Sequence, residues 1–591
     1  MLANPKVLMR PLAALLALLA ATAACAADRR PNVVVVLADD QGWGDLGAHG
    51  NTDLRTPHID SLARDGALFE RFFVQPVCSP TRAEFLTGRY HTRGGVWNVS
   101  TGGERLNLDE KIVADAFKAA GYAAGCFGKW HNGTQYPYHP NGRGFGEYYG
   151  FTSGHWGEYF DPPLDHNGKP VRGKGYITDN LTDRATAFME TNRGRPFFCY
   201  LAYCTPHSPM QVPDRFYDRF KDATLKLRPD NTKKEDLGHT RAALAMVENI
   251  DWNVGRVLAK LDELKLASDT VVLYFSDNGP NGWRWNGGMR GRKGSTDEGG
   301  VRSPLLVRWP GHVRPGTQVS QIAGAIDLLP TLTELAGVKR VGDKPLDGRS
   351  LAPLLLGKPA EWPDRMLFAK WAGRVSVRSH RDRLVDQGRL YDMPADPGQT
   401  RDVSGEQKVI ATELTQAVAA WQKEHLATFK KDDRPFPVGY KEFPATTLPA
   451  RDGVAHGNVK RSASAPNCSF FTNWTTRDDR ITWDVEVVAD GRYQVDVLYT
   501  CPTGDVGSAV ELSFGGATVS GKVAPVHDPP LRGKEHDRVS RGAESYVKDF
   551  KPLRLGTVAL NKGRGPLTLR ATDIPGKQVM DVRAVTLTRI E

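Results

Sequence analysis

The sequence predicts an α/β protein built on a doubly wound, mostly parallel sheet, followed by a small α+β subdomain and an all-β sandwich. Asn32–Ala38 and Thr270–Ser276 are β-branched, apolar runs without alternation, the pattern of strands buried on both faces of a parallel sheet. After residue 453, apolar and polar residues alternate in several short segments, as is typical of a sandwich. The 591 residues allow two or three domains.

The composition is that of a soluble globular chain, with 40% hydrophobic and 25% charged residues. The formal net charge of +10 suits a polyanionic partner, but no nucleic-acid-binding motif is present, so we expect no nucleic-acid partner. No run after the amino terminus is long enough to cross a bilayer, so we expect no transmembrane segment.

The amino terminus has the pattern of an export signal. Lys6 and Arg10 precede a short apolar run over 12–20, and small residues follow up to Ala27. We expect residues 1–26 to be removed as a signal peptide and the mature protein to be periplasmic or secreted. The segment before Cys25 weakly resembles a lipobox, which leaves a lipid-anchored form open.

Disulfide bonds are not expected to hold this fold, because seven cysteines are few for an exported chain of this length. Cys199 and Cys204 lie five residues apart in an apolar run, so they should face opposite sides of a strand. Cys468 and Cys501 are the only plausible pair.

Three acidic residues and one asparagine follow the two buried strands. Asp39 and Asp40 come directly after the first strand, and Asp277 and Asn278 come directly after the second. Ligands bind outside the carboxyl ends of the strands in doubly wound sheets, so these oxygens can converge into a calcium or magnesium site. The alternative is a helix cap after one strand and a turn after the other.

Basic residues follow two further apolar runs. The run over 122–127 leads to Lys129 and His131, and the run over 196–203 leads to His207. Lys293 lies in a glycine-flanked basic loop, which glycine allows to approach a ligand closely. Lone residues of these types are usually structural or solvated, but their positions at strand ends favour a site.

The segment Cys78-Ser79-Pro80-Thr81-Arg82 contains a cysteine that no metal or disulfide pattern explains. Taken alone, it is equally compatible with a buried thiol before a turn. A cation site and several basic side chains elsewhere in the chain make a reactive role the better interpretation.

From residue 30 to about residue 404, the order of these elements resembles the type I sulfatases of the alkaline phosphatase superfamily. The shared features are the Asp-Asp strand end, C-x-P-x-R, G-K-W-H, T-P-H, S-D-N-G, the lysine loop with E-G-G-x-R, and R-L-Y-D-M followed by D-P. Glu84 and Asn132 depart from the usual pattern, where a small apolar residue and a leucine stand.

The resemblance implies that a formylglycine-generating or sulfatase-maturating enzyme oxidises Cys78 to formylglycine (3-oxoalanine), whose hydrate attacks sulfur. It also implies roles for the other residues. A Ca²⁺ ion, in preference to Mg²⁺, would be bound by the modified Cys78 together with Asp39, Asp40, Asp277 and Asn278. The sulfate would be held by Lys129, His207 and Lys293. Arg82 would stabilise the attacking oxygen, and His131 would be the base that releases the sulfate. Ser153 and His155 fall in the pocket region without individual roles.

The expected domains are a catalytic α/β domain over 28–344, a C-terminal subdomain over 345–431, a linker over 432–452 and a β-sandwich over 453–591. In the subdomain we expect one antiparallel strand over 375–384 and a helix over 408–425. In the sandwich we expect a hairpin over 481–500, turning at Asp490 and Gly491, and further strands over 509–514, 553–560, 565–571 and 580–588.

The expected function is hydrolysis of sulfate esters, in a sulfated carbohydrate or an aryl sulfate. Two alternatives remain: a phosphate or phosphonate ester hydrolase of the same superfamily, and a non-catalytic glycan-binding protein if Cys78 is not matured. The sandwich could be a tethered carbohydrate-binding module that is dispensable for chemistry, or it could pack on the core. The sugar, the sulfate position and endo or exo action stay open.

Overall fold

The structure is a computed structural model that describes residues 30–229, 232–358, 361–427 and 432–591. The predicted signal peptide over 1–26 and Cys25 lie outside the described residues. Within these ranges, no helix combines the length and the apolar character needed to cross a membrane.

A sheet of ten strands forms the centre of the catalytic part, with the strand order β12-β2-β11-β9-β1-β8-β4-β5-β6-β7. A second, three-stranded sheet has the order β10-β3-β13. The strands are β1 (Asn32–Ala38), β2 (Ala67–Phe69), β3 (Phe72–Phe73), β4 (Ala123–Lys129), β5 (Glu147–Phe151), β6 (Pro163–His166), β7 (Lys169–Arg172), β8 (Phe197–Ala202), β9 (Thr270–Ser276), β10 (Arg302–Ser303), β11 (Leu305–Arg308), β12 (Thr317–Val319) and β13 (Ala323–Gly324).

The middle of the large sheet is parallel. β9, β1, β8, β4 and β5 run in one direction, while β11 and β6 pair antiparallel at either side of them. The two strands predicted from unalternated apolar runs, β1 and β9, have the predicted bounds and are fully buried. The mostly parallel α/β fold is therefore confirmed.

Helices cover both faces of this sheet, which is why the central strands contain no polar alternation. Val33, Val35 and Leu37 of β1 face one core, and Val34 and Val36 face the other. The helices are α1 (Pro57–Arg64), α2 (Cys78–Thr87), α3 (Val113–Ala119), α4 (Ile177–Thr191), α5 (Asp214–Tyr217), α6 (Leu237–Glu263), α7 (Glu298–Val301), α8 (Leu328–Leu335) and α9 (Ala352–Leu355).

The C-terminal subdomain is a four-stranded antiparallel sheet with one long helix. It contains β14 (Leu367–Trp371), β15 (Arg374–Arg378), β16 (Asp382–Val385), β17 (Arg389–Asp392) and α10 (Lys408–Leu426), so the predicted helix is confirmed. The single strand predicted over 375–384 is wrong, because β15 and β16 pair antiparallel within that segment. The predicted boundary at 344 also shifts, since Leu351 and Leu355 are buried in the catalytic core.

The remaining strands form two packed sheets around one apolar core. One sheet has the order β18-β23-β28-β25-β26 with β20 on β23, and the other has β21-β22-β29-β24-β27 with β19 on β29. The strands are β18 (Phe436–Val438), β19 (Ala445–Pro449), β20 (Val454–His456), β21 (Lys460–Arg461), β22 (Phe471–Thr472), β23 (Arg480–Val487), β24 (Gly491–Thr500), β25 (Ala509–Phe514), β26 (Ala517–Lys522), β27 (Lys551–Leu560), β28 (Gly563–Asp573) and β29 (Asp581–Arg589).

Two predictions about this region are wrong. The hairpin over 481–500 does not form, because β23 and β24 belong to opposite sheets, and neither Asp490 nor Gly491 has the positive φ that a tight hairpin turn needs. The linker over 432–452 is part of the sandwich, because β18 pairs with β23 and β19 pairs with β29.

The only plausible cysteine pair, left open by the sequence, is not bridged. Cys468 and Cys501 are both free and buried. Cys468 Sγ lies 3.2 Å from the carbonyl oxygen of His155 in the catalytic part, whereas Cys501 Sγ lies 3.5 Å from the carbonyl oxygen of Val579 inside the sandwich. Cys199 and Cys204 are free, as expected.

Candidate active site

Three aspartates and one asparagine lie side by side at the carboxyl ends of β1 and β9. These strands are parallel neighbours in register, so Asp39 and Asp40 leave the sheet at the same level as Asp277 and Asn278. The backbone amide of Asp40 donates to Asp277 Oδ1 over 3.2 Å, and Asn278 Nδ2 donates to Asp40 Oδ1 over 2.8 Å. All four side chains are buried. The structure thus brings together the four groups predicted to share an ion.

The cluster has the chemistry of a cation site. Asp39 Oδ1 and Asn278 Oδ1 are buried and have no hydrogen-bond partner among the described residues. Leaving a buried polar atom unpaired costs about 1–3 kcal/mol, so two such oxygens beside carboxylates fit a bound cation. Asp39, Cys78 and Asp277 each offer one ligand atom, and these atoms lie within 4.8 Å of one another. Hard oxygen donors are the ligands that Ca²⁺ and Mg²⁺ take.

The pKa values of these carboxyl groups reflect their crowding. Burial, and then the charge of Asp39, raise the pKa of Asp277 to about 6. Burial also raises the pKa of Asp40, but nearby cations, first Lys293, outweigh burial and hold that pKa well below its usual range. The basic side chains around the cluster therefore help to keep its carboxyl groups ionised.

Cys78 is the first residue of α2, and every residue of this helix is buried. Burial raises the pKa of the Cys78 thiol, although Lys129 and Lys293 oppose that shift. A reactive thiolate needs a lowered pKa, so the thiol itself is not an activated nucleophile. Arg82 follows one turn later and donates to Asp277 Oδ2 over 2.7 Å, which ties α2 to the acidic cluster.

Two lysines reach the same cluster from other elements. Lys129, the last residue of β4, lies with its Nζ 2.5 Å from Asp39 Oδ2. Lys293 Nζ lies 2.8 Å from Asp40. Both lysines keep a raised pKa: burial lowers it, but the neighbouring aspartates outweigh burial. The site thus holds fixed positive charges next to the carboxylates.

The two predicted histidines have one ring nitrogen fixed by the backbone. His131 Nε2 lies 2.8 Å from the carbonyl oxygen of Val99, and its Nδ1 is buried without a partner among the described residues. His207 Nδ1 lies 2.8 Å from the carbonyl oxygen of Ser208, and its Nε2 lies 3.6 Å from Asp40 Oδ2. Burial lowers the pKa of His131 well below its usual range, and burial with Lys293 lowers that of His207 to about 3.

Asp40 and His131 both have left-handed backbone, with φ of 67° and 62°. Such conformations are uncommon outside glycine and are found disproportionately at functional sites, where the surrounding structure holds them in place. Their occurrence at two predicted site residues supports a site whose geometry is set by the fold.

Sequence reasoning missed the contribution of the sandwich. Glu544 Oε1 lies 3.3 Å from His155 Nδ1 and accepts a hydrogen bond from Ser208 Oγ over 2.9 Å. Asn467 Nδ2 lies 3.1 Å from the position that a Cβ atom on Gly154 would occupy. No local motif marks Glu544 or Asn467, because they reach the site only through packing between domains.

Comparison with known proteins identifies the family. A family model described as "Sulfatase" matches residues 31–338, and one described as "N-sulphoglucosamine sulphohydrolase, C-terminal" matches residues 293–424. Steryl-sulfatase of Mus musculus is 30% identical over 71% of this chain and 88% of its own length. Arylsulfatase A of Homo sapiens is 32% identical over 68% of this chain and 89% of its own.

Solved structures agree with this result. The crystal structure of Ps i-CgsB, also solved in complex with k-i-k-neocarrahexaose, superposes with a TM-score of 0.62 at 31% identity, covering 67% of this chain and 94% of that one. The phosphonate monoester hydrolase of Agrobacterium radiobacter shares the fold, with a TM-score of 0.52 at 22% identity. The chain therefore belongs to the sulfatase family. It is a sulfuric ester hydrolase with the alkaline phosphatase-like fold.

Proposed function

We propose that this sulfatase removes sulfate from a sulfated glycan, with Cys78 matured to formylglycine and a divalent cation, Ca²⁺ in preference to Mg²⁺, at the acidic cluster. The observation that carries the proposal is the position of Cys78: its ligand atom lies within 4.8 Å of ligand atoms of Asp39 and Asp277, beside oxygens that have no hydrogen-bond partner among the described residues. A thiol with a raised pKa is a poor nucleophile at this position, whereas an oxygen nucleophile in its place could attack a sulfate ester.

Asp39, Asp40, Asp277 and Asn278 would hold the cation together with the modified Cys78. When bound, the cation would supply a Lewis acid for an oxygen nucleophile and for the sulfate. When present, the formylglycine hydrate would supply that nucleophile and a second hydroxyl for sulfate release. Calcium is favoured over magnesium because the cluster could supply many oxygen ligands from the protein itself, whereas magnesium usually keeps several waters.

The basic side chains have complementary roles. Lys129 and Lys293 each lie against an aspartate and can turn their ammonium groups toward a sulfate oxygen, which stabilises charge in the transition state. Arg82 is fully buried and held by Asp277, so it positions the nucleophile end of α2 and adds charge there.

The two histidines suit proton transfer. Because Nε2 of His131 donates to the Val99 carbonyl, its buried Nδ1 carries a lone pair and can take a proton in the sulfate-releasing step. His207 presents Nε2 to the cluster; its pKa of about 3 leaves this nitrogen unprotonated near neutral pH, so it can donate to the leaving oxygen only once the negative charge of a bound sulfate ester raises that pKa. Lys293 is the alternative donor.

The glycan substrate is supported by chemistry and by relatives. The chain has a formal net charge of +10, which favours polyanions. Ps i-CgsB, at 31% identity, is solved with a carrageenan-type hexaose, and N-acetylgalactosamine-6-sulfatase of Homo sapiens is 32% identical over 56% of this chain. Steryl-sulfatase, by contrast, is named for a sterol sulfate, so an aryl or sterol sulfate belongs in any substrate panel.

Maturation and export fit the same proposal. Cys78 is only 3% exposed and lies in a helix that is buried throughout, so a maturating enzyme has to act before folding is complete. We propose export to the periplasm or the outside of the cell, directed by the segment over 1–26.

The test is Cys78→Ala in protein produced with a maturating enzyme. It should abolish hydrolysis of aryl and glycan sulfates while the circular dichroism spectrum stays unchanged. Cys204→Ala, which removes another buried cysteine outside the motif, is the matched control and should stay active. Full activity of Cys78→Ala, or faster turnover of a phosphonate ester than of any sulfate ester by the wild type, would contradict the proposal.

A further inference from the structure

The carboxyl-terminal sandwich is anchored on the rim of the active site by two of its loops. From one loop, Cys468 Sγ contacts the carbonyl oxygen of His155 at 3.2 Å. From the other, Arg541 Nη1 donates to the carbonyl oxygen of Gly157 over 2.7 Å. Both loops therefore hold the segment that contains His155, and they bring Asn467 and Glu544 with them.

Glu544 reaches the two pocket histidines. Its Oε1 accepts from Ser208 Oγ and lies 3.3 Å from His155 Nδ1, and one ligand atom each of His155, His207 and Glu544 lie within 4.8 Å of one another. The other oxygen, Oε2, is buried and makes no hydrogen bond among the described residues, although the side chain as a whole is 18% exposed. One acceptor of this carboxylate is therefore free for a ligand.

His155 is a second polar group without good partners. It is 5% exposed, and neither ring nitrogen makes a well-formed hydrogen bond within the described part of the chain. Burial, and then the charge of Arg541, lower the pKa of His155 to about 3, so the imidazole is neutral and its contact with Glu544 is not an ion pair. A neutral imidazole offers one donor and one acceptor.

Asn467 lies beside Gly154, the residue that precedes His155. A Cβ atom built on Gly154 would clash with His131 Nε2 and would lie 3.1 Å from Asn467 Nδ2, so the amide of Asn467 and the ring of His131 both lie beside this glycine. Asn467 Oδ1 is buried without a partner among the described residues. This amide adds a further free acceptor near the predicted base.

These groups differ in charge from the sulfate-binding residues. Lys129 and Lys293 suit an anion, whereas Glu544 and Asn467 present a carboxylate and an amide carbonyl, which accept hydrogen bonds from hydroxyl groups. A carboxylate also repels a second sulfate or carboxylate placed next to it. The set of two imidazoles and a carboxylate has the spacing of a metal site, but His207 already has one nitrogen on the Ser208 carbonyl and the other toward Asp40.

We propose that Glu544 and Asn467, contributed by the sandwich, form with His155 a subsite that binds hydroxyl groups of the sugar bearing the scissile sulfate and selects against a second anionic group on that sugar. The proposal rests on the proposed glycan sulfatase function. It makes Glu544 a specificity-determining residue and the sandwich a part of the substrate pocket.

The test measures competitive inhibition of 4-nitrophenyl sulfate hydrolysis by galactose 6-sulfate, N-acetylglucosamine 6-sulfate and glucosamine-2-N,6-O-disulfate. Wild type should bind at least one monosulfated sugar more tightly than the disulfated one. Glu544→Gln should raise the inhibition constant of that monosulfated sugar about tenfold or more, the scale of a lost hydrogen bond to a charged group. In the same variant, the inhibition constant of the disulfated sugar should fall or stay level. The preference for the monosulfated over the disulfated sugar should therefore become smaller.

Controls separate this role from a structural one. Glu486→Gln, on the exposed face of β23, should match wild type throughout. Glu544→Asp should recover part of the preference, and Asn467→Ala should weaken sugar inhibition more than it changes KM for the aryl sulfate. The proposal is overturned if Glu544→Gln leaves the preference for the monosulfated sugar unchanged. It is also overturned if this variant changes the KM for the aryl sulfate and the inhibition constants of the sugars by the same factor, or if no sulfated sugar inhibits wild type. Failure of wild type to hydrolyse any sulfate ester would instead remove the proposed function.

Discussion

Asp39, Asp40 and Asp277 face Arg82, Lys129 and Lys293 in the active site, so three negative charges oppose three positive ones. The site is close to neutral from its own side chains. A bound divalent cation would shift this balance by two positive charges, and the site would then attract the anion of a sulfate ester. The acidic residues and the lysines would therefore be complementary: the carboxylates would hold the cation, and the lysines would be available to bind the sulfate.

Asp39→Asn tests this arrangement. The change keeps the shape of the side chain but removes a charge that an ion would share, so bound calcium, measured by elemental analysis after dialysis, should fall from one per chain and metal affinity should drop more than about tenfold. Asp165→Asn, which alters a partly exposed carboxylate beside His139, is the control and should keep its calcium. Unchanged calcium content in Asp39→Asn would refute the assigned site.

Individual site residues can be predicted from the sequence when they lie in short motifs, most of them at strand ends. Cys78, Arg82 and Lys129 are found in this way, because a few neighbouring residues set their environment. Glu544 and Asn467 are not found, because nothing near them in the sequence shows that they reach His155 and Gly154 of another domain. Their detection requires the packing of whole domains.

The sequence predicts individual strands better than it predicts how consecutive strands pair. Runs buried on both faces, such as β1 and β9, are recognised because their apolar residues do not alternate. The turn after β23 is misread as a hairpin, because an Asp-Gly pair also occurs where a chain crosses between two sheets of a sandwich. Local sequence carries no information on which sheet the next strand joins.

The short helix α7 connects the catalytic part to the C-terminal subdomain. Glu298 is fully buried, and its carboxylate lies 2.9 Å from Arg383 and 3.4 Å from Arg378, which belong to β16 and β15. It also lies 3.2 Å from Arg302. Burial raises the pKa of Glu298, but the arginines, first Arg383, outweigh burial and lower it to about 2.

Glu298→Gln should therefore destabilise the fold by about 3–5 kcal/mol at neutral pH, because it leaves buried arginines without their counter-charge. The pKa of Glu298 is lower in the folded than in the unfolded chain, so its stabilisation is present above about pH 4.5 and is lost as the pH falls toward 2. Urea unfolding of wild type and variant should show a difference that shrinks below pH 4.5.

The matched control for this prediction is Glu406→Gln, which breaks an exposed pair with Arg401 and should change stability by less than about 1 kcal/mol. A Glu298→Gln protein as stable as this control at pH 7 would show that the arginine cluster does not hold the two parts together.

At the scale of the whole molecule, the sandwich is packed on the catalytic part through several separate contacts. Gln211 Nε2 donates to Asp537 over 2.9 Å, Arg451 lies 3.6 Å from Glu104, and Tyr136 stacks on Phe443 with ring centroids 5.4 Å apart. These contacts join different segments of the sandwich to the catalytic part. The sequence leaves open whether this domain is tethered or packed, and the structure favours packing.

A truncated chain that ends at residue 431 should consequently lose activity on both small and polymeric substrates. Removal of the sandwich frees the segment around His155 and exposes apolar surface, so we expect either aggregation or a soluble protein with at least about tenfold lower kcat/KM on 4-nitrophenyl sulfate and on a sulfated polysaccharide. A soluble, folded truncation that keeps full aryl sulfatase activity and loses only the polysaccharide would show instead that the sandwich is a tethered binding module.

The most direct test of the central claim is the relation between aldehyde content at position 78 and turnover. Preparations made with different amounts of a maturating enzyme should be analysed by mass spectrometry of the Cys78 peptide and assayed on an aryl sulfate under saturating calcium. The account predicts that turnover per chain rises in proportion to the fraction of formylglycine and extrapolates to zero when all chains carry the thiol. Substantial sulfatase activity in protein whose position 78 is entirely cysteine would contradict it.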